Sequence, residues 1–297
     1  MAEIALPSAV EPAVQGTSLW RDAFRRLLRN RAAVLGIVLI GLFLFSAIAA
    51  PLISPYSPDA GSIINRFEPP SLSHLLGTDL QGRDILSRII WGARSSLWVA
   101  VLSVASGLSI GIVYGSLSGF LGGWIDFWLM RVVDIVLALP GLLLTITIVL
   151  FLGPGLNTIA FAIAIENIPI FARILRSSIL GLKESDYVLA ARSIGVPQRR
   201  ILLAHILPNA LTPVIVAGTL ALATAIVDAA GLGFLGFGPQ DPATPEWGTM
   251  LTDTYRYLTA GAAFTALFPG IAIIVSVLGF NLLGDGLREA LDPRLRR

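Results

Sequence analysis

Two acidic side chains, Glu166 and Asp228, fall inside long apolar stretches of the chain. An ionisable group at membrane depth faces the protein interior or a water-filled cavity, where it marks a pathway or has a committed partner. Asp228 precedes the glycine-rich stretch 231–238, so its carboxylate could line a pathway, pair with a cationic group of a cargo, or anchor that irregular segment by hydrogen bonds. For Glu166, we expect a helix-end ion pair with Arg173.

The stretch 187–209 combines small residues with turn-forming residues in a pattern typical of a helical hairpin. Gly195 suits the left-handed conformation that ends a helix, and Pro197 suits the first turn of the next one. Small residues on an exposed ridge let another backbone approach closely, so the hairpin is predicted to dock a partner; a solvated connector is the alternative. The residues expected on one side of the first helix are Ala190, Ala191 and Ile194.

The sequence contains no residue pattern that indicates enzymatic catalysis. A Walker A loop needs Gly-Lys-Ser/Thr, and the only lysine, Lys183, is followed by Glu184. His74 and His205 are expected on opposite sides of the membrane, so we expect no metal site built from them. The chain has no cysteine and therefore no thiolate site.

Composition assigns the chain to the membrane class. The 297 residues are 55% hydrophobic and only 13% charged, whereas soluble domains carry about 25% charged residues. The small net charge of +2 and the single lysine offer no dense basic block for nucleic acid. We therefore expect an all-α polytopic membrane protein with lipid contacts and no nucleic-acid partner.

Six apolar stretches are predicted to span the membrane. They are residues 32–53, 97–119, 132–152, 156–171, 210–235 and 262–283. A disordered head and an interfacial amphipathic helix from Trp20 to Arg31 precede them. The expected organisation is a head 1–31, a first span 32–53, an external loop 54–95, a five-helix core 96–284 that includes a coupling loop 172–208, and a tail 285–297.

Basic residues set the expected orientation. Lysine and arginine concentrate in the head, the tail and the loop 172–208, while the short loops of the opposite side hold only Arg256. By the positive-inside rule both termini are predicted to be cytoplasmic, and the long loop 54–95 contributes little to this count.

Two external segments carry further candidates. In the segment 77–88, Thr78 or Asp79 is expected to cap the following helix, and ion pairs of Arg83, Asp84 and Arg88 are expected to fix the loop. Three prolines within seven residues exclude a regular helix from 239 to 245, so this loop is expected to be irregular. The aromatic residues expected to anchor the chain at the interface, rather than to stack on a cargo, are Trp247, Tyr255 and Tyr257.

The hairpin resembles the EAA loop of ATP-binding-cassette importer permeases, and the chain from Arg25 onward resembles the C-type subunit of the dipeptide/oligopeptide permease family. One departure is Leu189, which stands where the family usually has the glutamate of the EAA motif. The matching segments are 50–58, 76–88, 131–134 with 140–141, 205–209 and 245–251.

This resemblance implies a type I ABC importer permease fold with six transmembrane helices, in the inner (plasma) membrane. It implies that the hairpin couples the chain to ATPase subunits through Leu189, Ala190, Ala191, Gly195, Pro197, His205 and Pro208. The implied partners are a homologous B-type permease, two ABC ATPase subunits that bind ATP and Mg, and an external substrate-binding protein. No cofactor is expected in this chain.

Two other functions remain open at the level of sequence. A proton-coupled secondary transporter would use Asp228 and Glu166, and would favour internal inverted repeats. A structural membrane scaffold is the second alternative, but that function would not explain the hairpin with its small residues. The sequence does not name the cargo, which in related permeases ranges from dipeptides and longer peptides to nickel.

Overall fold

The computed structural model describes residues 19–255 and 262–291, and this part of the chain is helical without a β-strand. The all-α prediction is therefore confirmed for the described residues. The head 1–18, Arg256, Tyr257 and the tail from 292 lie outside them. The helices are α1 (Leu19–Arg29), α2 (Arg31–Ile53), α3 (Ile85–Leu121), α4 (Gly123–Leu137), α5 (Gly141–Leu152), α6 (Leu156–Lys183), α7 (Asp186–Ser193), α8 (Gln198–Arg200), α9 (Leu207–Leu232), α10 (Trp247–Thr254) and α11 (Phe264–Leu291).

Five continuous helical stretches of the described residues are long and apolar enough to cross a membrane, and a sixth arises if α4 and α5 together form one span. The helix expected from residue 97 already begins at Ile85, and the helix expected to end near 171 continues to Lys183. Hydropathy marks the apolar centre of a helix, whereas its ends depend on caps and tertiary contacts, so the observed helices extend beyond the predicted stretches.

The third expected stretch, 132–152, is realised as two helices rather than one. Helices α4 and α5 meet at 89°. Pro140 stands between them at the N-cap of α5. Because proline has no N–H and disfavours a helical conformation in the residue before it, the chain leaves the helix here.

Helices α3 and α6 form the centre of the bundle through a stripe of glycines. Each glycine sits directly against the opposite helix; for example, a Cβ on Gly111 would lie 2.7 Å from Cβ of Phe171 and 3.0 Å from the carbonyl oxygen of Ile168. Small residues let two helix backbones approach closely in a membrane, where packing replaces the hydrophobic effect as the driving force. The stripe consists of Gly107, Gly111, Gly115 and Gly119.

Helices α9, α11 and α2 complete the bundle by the same close packing. Gly36 of α2 touches the backbone of α11 at Gly279 and Leu283, and Gly284 of α11 packs on Leu220 of α9. The packed helices α2, α3, α6, α9 and α11 position the segments that carry the candidate functional residues.

Candidate functional site

The predicted hairpin is present as helix α7, a tight turn and helix α8. Gly195 has φ of +79°, the left-handed region expected of it. Its N–H donates to the carbonyl of Arg192 at 3.0 Å, and the N–H of Val196 donates to that of Ala191 at 3.0 Å, which closes the end of α7. No atom lies within 4 Å of the Cβ position of Gly195, so backbone conformation alone requires glycine there.

One side of α7 faces the bundle and the other faces away from it. Val188 is fully buried and Ala191 is 9% exposed. The prediction that Ala191 shares an exposed ridge with Ala190 and Ile194 is therefore wrong for Ala191, because it lies one turn from Val188 on the inner side. The exposed positions include two large apolar side chains: Ile194 is 81% exposed and Leu189 47%. Asp186 and Ser193 are exposed beside them.

The hairpin continues into α9 through a widened helical turn, Ile201–Ile206. This turn directly precedes Pro208, whose missing N–H cannot bond to the carbonyl one turn earlier, and such gaps favour π-type turns. His205 is half-buried in the turn, and its carbonyl accepts a hydrogen bond from Asn209 at 2.8 Å. Pro208 and Pro197 are both exposed.

Glu166 on α6 and Asp228 on α9 are both half-buried. The carboxylate of Glu166 lies against Gly141 at the start of α5, where a side chain would collide with it. The predicted ion pair of Glu166 with Arg173 is wrong, since Arg173 donates to Asp134 at 2.5 Å. Glu166 thus faces the break between α4 and α5, not a neighbouring cation on its own helix.

The carboxylate that holds the glycine-rich segment is Glu246, which the sequence did not single out. Its two oxygens accept the N–H groups of Gly248 at 2.8 Å and Thr249 at 2.9 Å, which caps α10. A side chain at Gly233 or Gly238 would meet this carboxylate or its neighbour Thr249. Within the described residues no hydrogen bond to the Asp228 carboxylate is present, so the anchoring role considered for Asp228 belongs to Glu246.

Glu246 lies between spans and is only 1% exposed. Burial raises the pKa of its carboxyl group to about 7, while the hydrogen bonds from Gly248 and Thr249 act in the opposite direction. The signal that could have found it is a carboxylate directly before a short helix, but glutamate is not among the favoured N-cap residues.

Trp247 is a core residue, and the prediction that it anchors the chain at the membrane interface is wrong. Its ring is fully buried. The indole N–H donates to the carbonyl of Ile89 at 3.1 Å, the ring meets Phe43 edge-on at 5.4 Å, and Gly92 leaves room for it. Tyr255 is 45% exposed, whereas Tyr257 lies outside the described residues.

The loop 54–84 is fixed by a buried ionic cluster, as predicted for Arg83 and Arg88. Arg83 donates to Asp79 at 2.7 Å and to Asp253 of α10 at 3.2 Å. Arg88 lies 3.5 Å from Asp79 and donates to the carbonyl oxygens of Pro58 at 2.9 Å and Pro242 at 3.1 Å. The cluster therefore joins the loop 54–84 to both α3 and the segment before α10.

Asp84 helps to fix the loop, as predicted, and has a second role as a helix cap. Its carboxylate caps α3 by accepting the N–H of Ser87 at 2.8 Å and pairs with Nδ1 of His74 at 2.9 Å. The cap expected at Thr78 or Asp79 is wrong, because these two residues form the turn before the helix. Within residues 19–255 and 262–291, no three His, Asp or Glu side chains form a metal-binding group.

Comparison with known proteins gives two family matches. The profile of the binding-protein-dependent transport system inner membrane component matches residues 111–297, and that of the N-terminal TM domain of oligopeptide transport permease C matches residues 18–70. A dipeptide transport system permease protein, DppC, of Alkalihalophilus pseudofirmus is 46% identical over 98% of this chain and 95% of its own length. An oligopeptide transport system permease protein, OppC, of Bacillus subtilis is 42% identical over 94% and 91%.

Solved structures share the fold at lower identity. An inward-facing MetNI methionine ABC transporter chain matches 69% of this chain and 97% of its own, with a TM-score of 0.57 and 20% identity. A chain of an amino acid ABC transporter matches 69% and 94%, with a TM-score of 0.54 and 19% identity. At these identities the similarity concerns the fold alone.

Proposed function

We propose, from the premise that the chain belongs to the binding-protein-dependent transport system inner membrane components, that it forms half of the pathway of an ATP-driven importer of dipeptides or oligopeptides. Such a permease is a multi-pass inner-membrane component that is not itself catalytic and works with a second permease, ATPase and a substrate-binding protein. We propose a complex with two ATPase subunits. The relatives are peptide permeases, and they give no support to a proton-coupled transporter.

Two exposed apolar side chains of the hairpin support ATPase docking most directly. The side chain of Ile194 is 81% exposed and that of Leu189 is 47% exposed. On the opposite side of α7, Val188 is buried against the bundle. Apolar side chains exposed together in this way are typical of a surface that another protein covers. Leu189 occupies the usual glutamate position, so the contact there is proposed to be apolar rather than ionic.

In the proposed mechanism, closure of the ATPase subunits moves the hairpin as a lever. Because the hairpin continues through α8 and the widened turn into α9 without a loop, a displacement of the hairpin is transmitted to α9. Asp228 lies on the far part of α9, and the turn Gly233–Phe237 follows it with a break at Gly236, whose φ is +90°. The two states of the pathway, open to one side of the membrane or to the other, are then each stabilised by a different set of contacts.

The variant Gly195→Val is expected to uncouple transport from ATP hydrolysis. A β-branched residue resists φ of +79°, at a cost of about 1 to 2 kcal/mol, which is enough to shift the hairpin without unfolding the spans. The measurement is peptide uptake and ATPase activity of the complete importer in proteoliposomes, with its binding protein present. Gly181→Val is the matched control, since Gly181 also has no atom within 4 Å of its Cβ position but is helical. Wild-type uptake by Gly195→Val would refute the docking role.

The hairpin and both termini are proposed to be cytoplasmic. Single cysteines placed at Ser193 in the hairpin and Ser73 in the external loop test this, because the chain has no native cysteine and both positions are exposed. In intact cells an impermeant thiol reagent is expected to label Ser73→Cys and to spare Ser193→Cys until the membrane is opened. The reverse pattern would invert the proposed orientation.

Asp228 is proposed to act in the pathway. Its half-buried carboxylate has no hydrogen-bond partner in the described chain, and a buried charge of this kind costs about 2.5 to 3.5 kcal/mol unless water reaches it. Asp228→Asn keeps the shape and removes the charge, so it is expected to reduce uptake while the ATPase subunits still co-purify. Normal uptake by Asp228→Asn, with instability of Asp228→Ala, would instead assign a structural role.

A further inference from the structure

A groove lies at the end of the bundle where the chain enters its first span. It has a volume of about 510 Å³. Helix α1 forms one wall and the end of α11 forms the other. The lining residues are Arg26, Arg29, Asn30, Gly286, Glu289 and Ala290.

Specific contacts fix the two walls of this groove. Leu27 is only 7% exposed and packs with Ala33 and Ala290. A side chain at Gly286 would collide with Ala33, so α11 and the start of α2 are in close contact. Asn30 caps α2 through the N–H of Ala33 at 3.1 Å and donates to Glu289 at 2.6 Å. These contacts hold α1 in a defined position against α2 and α11, so the shape of the groove is determined by packing.

The charge of the groove favours an anion. Among the described residues that line the groove, the two arginines Arg26 and Arg29, one turn apart on α1, outnumber the one acidic residue, Glu289, whose carboxylate accepts the hydrogen bond from Asn30. Arg25 and Arg31 add positive charge beside the groove without lining it. Arginine presents several N–H donors in a fixed fork that suits phosphate oxygens.

The surface next to the arginines is apolar. Phe24 and Leu28, one turn apart on α1, are 60% and 50% exposed. Only Asn30 separates α1 from α2, and Leu35 and Val38 continue the exposed apolar surface along that span. A ligand that satisfies both parts carries a negatively charged phosphate and hydrocarbon chains.

We propose that this groove binds an anionic phospholipid, with the headgroup phosphate between Arg26 and Arg29 and the acyl chains along α2. A free phosphate ion would leave the apolar surface uncovered. A zwitterionic lipid would bring an ammonium group that gains nothing from the arginines. The bound lipid would fix α1 against α11 at the surface of the membrane.

The test uses the complete importer in an uncharged detergent, titrated with phosphatidylglycerol and observed by native mass spectrometry. We expect one tightly retained phosphatidylglycerol at this site, and we expect Arg26→Gln/Arg29→Gln to weaken its binding by about tenfold or more. The matched control, Arg25→Gln/Arg31→Gln, removes the same charge from outside the groove and is expected to retain the lipid. Melting temperatures of both variants show whether the fold is intact, and Arg26→Lys/Arg29→Lys supplies a milder variant that keeps the charge.

Four results would overturn the proposal. Equal retention of phosphatidylcholine would show that the headgroup charge is irrelevant. An equal loss in the control variant would show diffuse attraction rather than a groove. Displacement of the lipid by inorganic phosphate would assign the site to a free ion. Cross-linking of a photoreactive group at Phe24 to an ATPase subunit instead of lipid would make the surface a protein interface.

Discussion

Replacing Gly111 with leucine is expected to prevent assembly of the importer. The Cβ of any side chain at this position lies 2.7 Å from Cβ of Phe171, 3.0 Å from the carbonyl oxygen of Ile168 and 3.3 Å from the backbone nitrogen of Ala172. Two of these three atoms belong to the backbone, so rotation of a side chain cannot relieve the collision. Helices α3 and α6 must separate, and the expected cost is about 3 kcal/mol, the upper end for overpacking.

The measurement for Gly111→Leu is the yield and melting temperature of the detergent-solubilised complex. Gly41→Leu in α2 is the matched control, because nothing lies within 4 Å of its Cβ position and its backbone is helical. The control is expected to melt at or above the wild-type temperature, since leucine favours a helix more than glycine does. If Gly111→Leu assembles and melts like Gly41→Leu, close contact between α3 and α6 is not the basis of the fold.

The variant Asp79→Ala is expected to destabilise the end of the protein that holds the loop 54–84 by about 3 to 5 kcal/mol, because removal of one partner leaves buried charges uncompensated. Arg83 and Arg88 are 5% and 3% exposed, and Asp79 contacts both of them. The variant also removes the acceptor of two backbone N–H bonds, from Gln81 and Arg83, each at 2.9 Å. Asp253 remains near Arg83 and compensates only in part.

Limited proteolysis of the loop 54–84, together with the melting temperature, measures this effect. Asp59→Ala in the same loop is the control, because Asp59 is exposed and its carboxylate accepts a hydrogen bond from the nearby Ser57. A surface change of this kind is expected to alter stability by no more than about 0.5 kcal/mol. Similar cleavage and melting of the two variants would mean that the ionic cluster contributes no more than a surface pair.

Several features of the protein were accessible to the sequence because their causes are local. Apolar stretches identify the spans without knowledge of the helices that pack beside them. Each spanning helix must itself be apolar and must form its own backbone hydrogen bonds in the lipid. The hairpin was predicted around Gly195 for a similar reason: the left-handed turn it requires is a property of glycine itself. The family followed from motifs spread along the whole chain.

Other features depend on residues far apart in the sequence, and only the tertiary structure decided them. Trp247 reads as an interfacial aromatic residue, but Gly92 and Ile89, more than 150 positions earlier, make room for its ring and accept its N–H. Arg173 has an acidic residue, Glu166, two turns away on its own helix, yet it pairs with Asp134 on another helix.

The two carboxylates of the glycine-rich region illustrate the same division. Asp228 attracted attention because it lies in an apolar stretch, a local property, whereas Glu246 follows a run of prolines and reads as part of a polar loop. Close packing around Gly233 and Gly238 buries Glu246 and gives it the capping role. Composition and local spacing determine which segments enter the membrane and where the chain turns. Which charges become buried, and against which partners, depends on how the helices pack, because burial and pairing are properties of two surfaces rather than of one segment.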